Sequence, residues 1–292
     1  MPTIRPVPIT VPGVYTIPAD HYHADPVPGG SLSSTGARKL LAPSCPALFR
    51  HDLDHPPPPK ASLDLGHAAH RMTLGAGPRL VRIPADVWRT TAVKEKVAQV
   101  RAEGGVPLRP KEWDQIHAMA AKLLEHPLAA ALFRPGAGAP EQTIVWCDEQ
   151  TGVWRRAMLD FLPHPLAGRR LILVDYKTAE SASPYAFARA AAKYGYYMQA
   201  PWYEDAVTAV GLAEPGEVAF LFVVQEKDDP FLVSVCQLDE PAMELGRRRN
   251  RRALEVFRDC SASGVWPGYS PTPRVELIGL PRYVFYQSEE EE

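Results

Sequence analysis

The sequence predicts a mixed α/β domain, with a helical N-terminal half and a central sheet flanked by helices. Three observations predict it. Apolar residues recur at helical spacing in WDQIHAMAAKLLEHPLAAALF (113–133). The period then falls to two in EQTIVWC (141–147) and GVWRRAMLDFL (152–162), which a Gly-containing turn separates, as in a β-hairpin. RRLILVDYKT (169–178) follows as a near-continuous apolar run, the mark of a strand buried on both faces.

In chain order, residues 1–30 are rich in proline and glycine without periodicity and read as an extended arm. In SLSSTGARKLL, Ser33 or Ser34 caps a helix that APSCP ends. Pro56 to Pro59 form a stiff connection. ASLDLGHAAHRMTLG places Gly66 and His70 four apart on one helical face, and Gly75 with Gly77 end the element. Two or three helices fill 85–133, and the hairpin and third strand follow. A helical region over 183–210 is expected to break near Gly195, with Pro201 in or near the first turn of its second half. EVAFLFVVQ and FLVSVCQL are two more strands, 241–261 a charged helix, and QSEEEE a disordered tail. The expected organisation is an arm (1–30), one domain (31–286) with a helical part (31–135) and an α/β core (136–265), and an acidic tail (287–292).

Composition excludes several classes. A core of some size is available, because 46 % of the 292 residues are apolar. No apolar run approaches the roughly 18 residues that span a bilayer, and MPTIRPVPITVPG lacks the features of a leader. A soluble cytoplasmic protein is the expectation. Cys45, Cys147, Cys236 and Cys260 are scattered, as reduced packing residues would be. A net charge of −2 gives no global attraction to nucleic acid, so contact with DNA must rest on local clusters. The Arg247, Arg248, Arg249, Arg251, Arg252 run is one candidate, and a solvated helix face is its alternative. No Walker phosphate loop is present, so no helicase motor is encoded here.

Alternation along a strand puts Asp175 and Lys177 on one face, and Asp160 on the corresponding face of the preceding strand. Two carboxylates suit Mg²⁺, which takes oxygen ligands and bridges to phosphate. A lysine beside them can orient water or stabilise charge on the phosphorane oxygens. A plain salt bridge at a strand end is the alternative for Asp175 and Lys177. Cys45, His51, His55 and His67 fit no common zinc spacing.

The neighbouring stretches complete a pattern. SLSSTGARKLLAPSCPALF, GHAAHRMTLG, EQTIVW, RAMLDFL, VDYKT and YGYYMQAPWY occur in the order found in the PD-(D/E)xK nucleases. Within these, the sequence resembles the RecE-like exonucleases of the exonuclease VIII type, related to phage lambda exonuclease and the RecB nuclease domain. The resemblance runs from about Tyr22 to about Gly268. It implies that Asp160, Asp175 and His70 hold a catalytic Mg²⁺, with Mn²⁺ as a substitute, and that Lys177 serves the attacking water. Glu141 matches the family's first-strand acid, with an exposed strand-start glutamate as the alternative. Gln199 and Tyr203 match its QxxxY helix and could contact the DNA backbone or align Lys177, with helix packing as the alternative. Tyr196 or Tyr197 could stack on a base at a frayed end, or pack in the core. No iron–sulfur cluster is expected, since only Cys236 and Cys260 lie in the C-terminal region.

By resemblance, the protein is a Mg²⁺-dependent 5′ to 3′ exonuclease of linear duplex DNA, bacterial or phage-encoded, that leaves 3′ overhangs for a RecT-like annealing protein. A homo-oligomeric trimer or tetramer ring is implied, with Lys193, Arg189 and the arginine run as candidates to line its passage. A RecB-type single-strand or flap nuclease and a catalytically silent DNA-binding subunit are the alternatives.

Overall fold

A computed structural model describes residues 8–56, 64–166, 168–270, 272 and 275–280. The chain opens with a short strand, β1 (Gly13–Tyr15), a helical turn, α1 (Ala19–His23), and the two-residue strand β2 (Leu32–Ser33). Helices α2 (Ser34–Lys39), α3 (Pro46–Asp54) and α4 (Asp64–Leu74) follow. Next comes a βαβ unit, β3 (Leu80–Arg82), α5 (Thr91–Ala102) and β4 (Val106–Leu108). Helices α6 (Pro110–Glu125) and α7 (Pro127–Leu132) complete this half. The second half contains β5 (Gly138–Cys147), β6 (Trp154–Pro163), β7 (Leu171–Ala179), α8 (Pro184–Tyr194), α9 (Tyr196–Ala209), β8 (Val218–Glu226), β9 (Val233–Cys236) and α10 (Glu240–Ser263).

One mixed sheet runs β1-β5-β6-β7-β8-β9, with β2 alongside β6. The β5–β6 hairpin and the β6–β7 pair are antiparallel, whereas β7 and β8 are parallel. A parallel pair needs a long crossover, which α8 and α9 supply. Both faces of the sheet are covered. Ile144, Leu159, Leu173 and Phe222 pack with Met198 and Trp202 of α9 and Leu254 of α10. Val174, Tyr176 and Val223 pack with Ala69 of α4, Met119 and Leu123 of α6 and Ala129 of α7. No helix among the described residues is long and apolar enough to cross a membrane.

Two expectations are corrected. The described part of the 1–30 segment is no free arm: β1 pairs with β5, and Ile9, Tyr22 and Val27 are buried. The edge of the hairpin offers unpaired backbone groups, and β1 satisfies them. Pro201 lies a turn deeper in α9 than expected, while Gly195, at φ 75°, does separate α8 from α9. Pro201 has no N–H for the Tyr197 carbonyl to accept, so that oxygen faces α10 instead. Gly246 gives it room: a Cβ there would stand 1.8 Å from Tyr197 O. Beside it, Asn250 Nδ2 donates to Met198 O at 2.9 Å. Gly246→Ala must push α10 off α9, and we expect a loss of about 1–3 kcal/mol in a thermal or urea melt. The tail 287–292 and the Pro57–Pro59 connection lie outside the described residues.

Candidate active site

The hairpin register builds the site. Pro140 pairs with Phe161 and Gln142 with Leu159, which leaves Glu141 opposite Asp160. Phe161 pairs with Val174, and one step further sets Asp160 opposite Asp175. Glu141, Asp160 and Asp175 therefore stand level with one another across β5, β6 and β7. Glu141 adopts φ 49°, a left-handed backbone unusual for glutamate, at the point where it drops out of the ladder. The β6–β7 ladder also gives way here: the Tyr176 N–H donates to Asp160 Oδ2 at 2.9 Å.

Helices on the two faces complete the cluster. From α4, His70 Nδ1 stands 3.7 Å from Asp160 Oδ2, and its ring meets the Tyr176 ring edge-on at 5.2 Å. Gly66, one turn earlier, faces Thr178 at the end of β7, where a Cβ would stand 3.6 Å from Thr178 Oγ1, an ordinary contact. From α9, Gln199 Nε2 donates to Asp175 Oδ1 at 2.6 Å. The other oxygen, Asp175 Oδ2, is 2.5 Å from Lys177 Nζ, and Nζ lies 4.9 Å above the Tyr196 ring. Despite that ion pair, Oδ2 receives no hydrogen bond of good angle, although the Asp175 side chain is only 3 % exposed.

Electrostatics single out this row. Burial pushes the Asp175 carboxyl up; Lys177 pulls it back, and Asp160 pushes it up again. Glu141 is raised by burial and then by Asp160, against His70 and Arg71. For Lys177, burial opposes the charge, but Asp175, Asp160 and Tyr196 outweigh it and hold the amine above the ordinary lysine range. The acids beside it thus favour the charged form of Lys177 over the burial that opposes it.

Beside Lys177 opens a cavity of about 300 Å³, lined by Ser34, Thr35, Arg38, Tyr194, Gln199 and Tyr203. The sequence marks Ser34 only as a candidate helix cap and gives Thr35 and Arg38 no distinguishing signal. Arg38 donates to the Tyr194 carbonyl and crosses Gly195, where a Cβ would meet its Cδ at 2.5 Å. A larger cavity, about 990 Å³, lies at the turn end of the hairpin, where Asp148, Arg155, Glu204, Arg247 and Arg251 largely pair with one another.

The other sequence candidates fall as follows. Tyr203 donates to Met158 O at 2.9 Å, which pins α9 to β6. Tyr196 stacks on Phe187 at 5.8 Å and flanks Lys177. Tyr197 packs partly buried against the core. Lys193 is exposed, 5.3 Å from the Tyr194 ring and apart from the acidic row. The arginine run is engaged internally: Arg247 with Glu204 and Glu240, Arg248 with Glu244, Arg251 with Asp148, and Arg252 with Glu255. Arg249 donates to Ala42 O.

A mixed sheet flanked by helices, with acids on adjacent strands and a lysine two residues beyond one of them, defines the PDDEXK-like nuclease fold. Residues 38–275 match the family model of a PDDEXK-like domain of unknown function (DUF3799), and the chain belongs to that family. A crystal structure from Eubacterium rectale, described as "Putative exonuclease", shares the fold. It has a TM-score of 0.58 and 11 % identity, and covers 93 % of this chain and 98 % of that one. No curated protein matches the sequence.

The family implies a divalent metal, and the donor chemistry fits one. Three carboxylates and an imidazole make an oxygen-rich set suited to a hard cation, which would share Asp175 Oδ2 with the Lys177 ammonium 2.5 Å away. Among the described residues, no three His, Cys, Asp or Glu side chains stand close enough together to hold a metal ion as they are placed.

Proposed function

We propose that this chain is a Mg²⁺-dependent exonuclease of the RecE-like type that hydrolyses linear double-stranded DNA from 5′ to 3′. The observation that carries the reading is the Glu141–Asp160–Asp175 row ending against the Lys177 ammonium. When bound there by Asp160, Asp175 and His70, Mg²⁺ or Mn²⁺ supplies Lewis acidity that lowers the pKa of water and polarises the phosphoryl group.

The chain's own residues supply the rest. Gln199 fixes Asp175 through Oδ1, so the carboxylate keeps one orientation. Lys177, whose charged form Asp175, Asp160 and Tyr196 favour, is placed to donate to the attacking oxygen or to a non-bridging phosphoryl oxygen as negative charge develops. Water oxygen bonds to phosphorus as the bond from phosphorus to the 3′-oxygen breaks; the water gives up a proton to solvent and the departing 3′-oxygen takes one from solvent, which leaves a 5′-phosphate and a 3′-hydroxyl. Ser34, Thr35 and Arg38 at the cavity wall suit contacts to the DNA backbone. Duplex ends are the substrate of this reading, 3′ overhangs its product and a RecT-like annealing protein its consumer. A trimeric or tetrameric ring in a bacterial or phage-infected cytoplasm is its setting.

Digestion of linear duplex labelled separately at the 5′ and 3′ ends tests it, with Mg²⁺ or EDTA. Progressive, EDTA-sensitive release of the 5′ label is the expected result. Cleavage of single strands alone replaces it with the RecB-type reading. Binding to ends without cleavage of any substrate makes the chain a silent recombination subunit.

A further inference from the structure

We propose that the β3–α5–β4 unit, with the first turn of α6, grips the duplex beyond the cleaved end by its phosphate backbone; the inference rests on the nuclease reading above. Charge is segregated along this chain. From Arg79 through Trp113, the end of that first turn, stand eight basic residues and four acidic ones, a surplus of four on a chain whose net charge is −2. All eight are exposed.

Four of these charges are also available. Arg79 pairs with Glu103 and Arg109 with Glu112, but Arg82, Arg89, Lys94 and Lys111 meet no acid among the described residues. The α10 arginines, by contrast, are matched to acids or to a carbonyl as described above. The unit presents its cations from a firm base. Ile83, Val97 and Val100 form a small core of their own, and Trp88 packs against it. The guanidinium groups of Arg109 and Arg101 lie 5.1 and 6.0 Å from the Trp88 ring, pinning the loop that carries Arg89. Arg82 is in register with Leu108, so it ends its strand beside Arg109, and Lys111 follows in α6.

Placement relative to the site is set by α4. One side of this helix carries His70 to Asp160; another packs Ala68, Leu65 and Met72 against Val106, Leu108 and Ile116. The basic unit therefore stands about one helix diameter, roughly 10–12 Å, from the acidic row. A duplex presents a phosphate about every 1.7 Å of axis, so DNA entering the site has backbone to offer at that distance.

The test is a full-length variant with Arg82→Ala, Arg89→Ala, Lys94→Ala and Lys111→Ala. Binding of a 5′-fluorescent duplex of about 30 base pairs is followed by anisotropy in EDTA between 50 and 200 mM KCl, and cleavage is followed in Mg²⁺. The slope of log K against log salt should flatten by about 3–4, and affinity at the lowest salt should fall by at least tenfold, with kcat at saturating DNA unchanged. A wild-type enzyme that cuts DNA, with an unaltered slope in the variant, overturns the docking surface and leaves the nuclease reading standing. A wild type that neither binds nor cuts DNA overturns both.

Discussion

Asp160→Ala should abolish nuclease activity and destabilise the fold, whereas Asp160→Asn should abolish activity alone. The two effects separate because Asp160 Oδ2 has two tasks. Its charge belongs to the carboxylate row, and its lone pair accepts the Tyr176 N–H at 2.9 Å where β6 and β7 part. Alanine leaves that backbone donor without its partner beside a Tyr176 that is 0 % exposed, at a cost of about 1–3 kcal/mol. Asparagine keeps an oxygen there and restores the bond, but it removes the charge. For either variant, a drop of about 10³-fold or more in the Mg²⁺-dependent rate is expected, on the scale of losing a preorganised electrostatic group. Thermal melts and single-turnover cleavage on the same samples check both halves. An Asn variant that cleaves at the wild-type rate would remove Asp160 from the site; an Ala variant as stable as wild type would make the hydrogen bond energetically idle.

How much of this arrangement was legible in the sequence depends on the range of the interactions. Strands β5 to β8 were readable because each carries a burial pattern over nine or ten residues. Strands β1 to β4, two or three residues each, were not. Their pairing is decided by partners far away in the chain, as when Gly13–Tyr15 meets 143–145 of β5. Alternation brings Asp175 and Lys177 together on paper, but the row with Glu141 depends on hairpin register, and no strand's own periodicity sets that. Nor does the sequence announce the φ of 49° at Glu141. The arginine run misled for a legible reason. Glu244 stands three and four residues before Arg247 and Arg248, and Glu255 three after Arg252, spacings at which helical neighbours pair. Density of charge in a sequence is not free charge, and the looser set from Arg79 to Lys111 has fewer acids at hand.

The other large effect is expected at Arg155, in the turn-ward half of β6. Its guanidinium carbon lies 4.6 Å from the Trp146 ring centroid and 3.9 Å from that of Trp202, and its side chain is 4 % exposed. Asp205 at 2.9 Å and Asp148 at 3.7 Å supply the countercharge. Burial pulls the Arg155 pKa down and the two acids push it back, so the ion is held at a net electrostatic cost that ring contacts and ion pairs must offset. Arg155→Ala empties the space between two tryptophans and should cost about 3–5 kcal/mol, which is roughly 5–8 °C in Tm. The acids left behind are not stranded. Asp148 keeps Arg251 at 2.8 Å and the Thr151 hydroxyl at 2.8 Å, and Asp205 is 45 % exposed and can rehydrate. Arg155→Met, which refills the space without a charge, should therefore recover most of the loss, while Arg155→Lys, a poorer stacking partner, should recover less. Five residues of strand, about 17 Å, separate Arg155 from Asp160, so the rate per folded molecule should stay that of wild type in all three variants. An alanine variant that melts within a degree or two of wild type would show that the tryptophans close over the gap by themselves. A methionine variant as unstable as alanine would show that the charge, rather than the volume, holds the two rings apart.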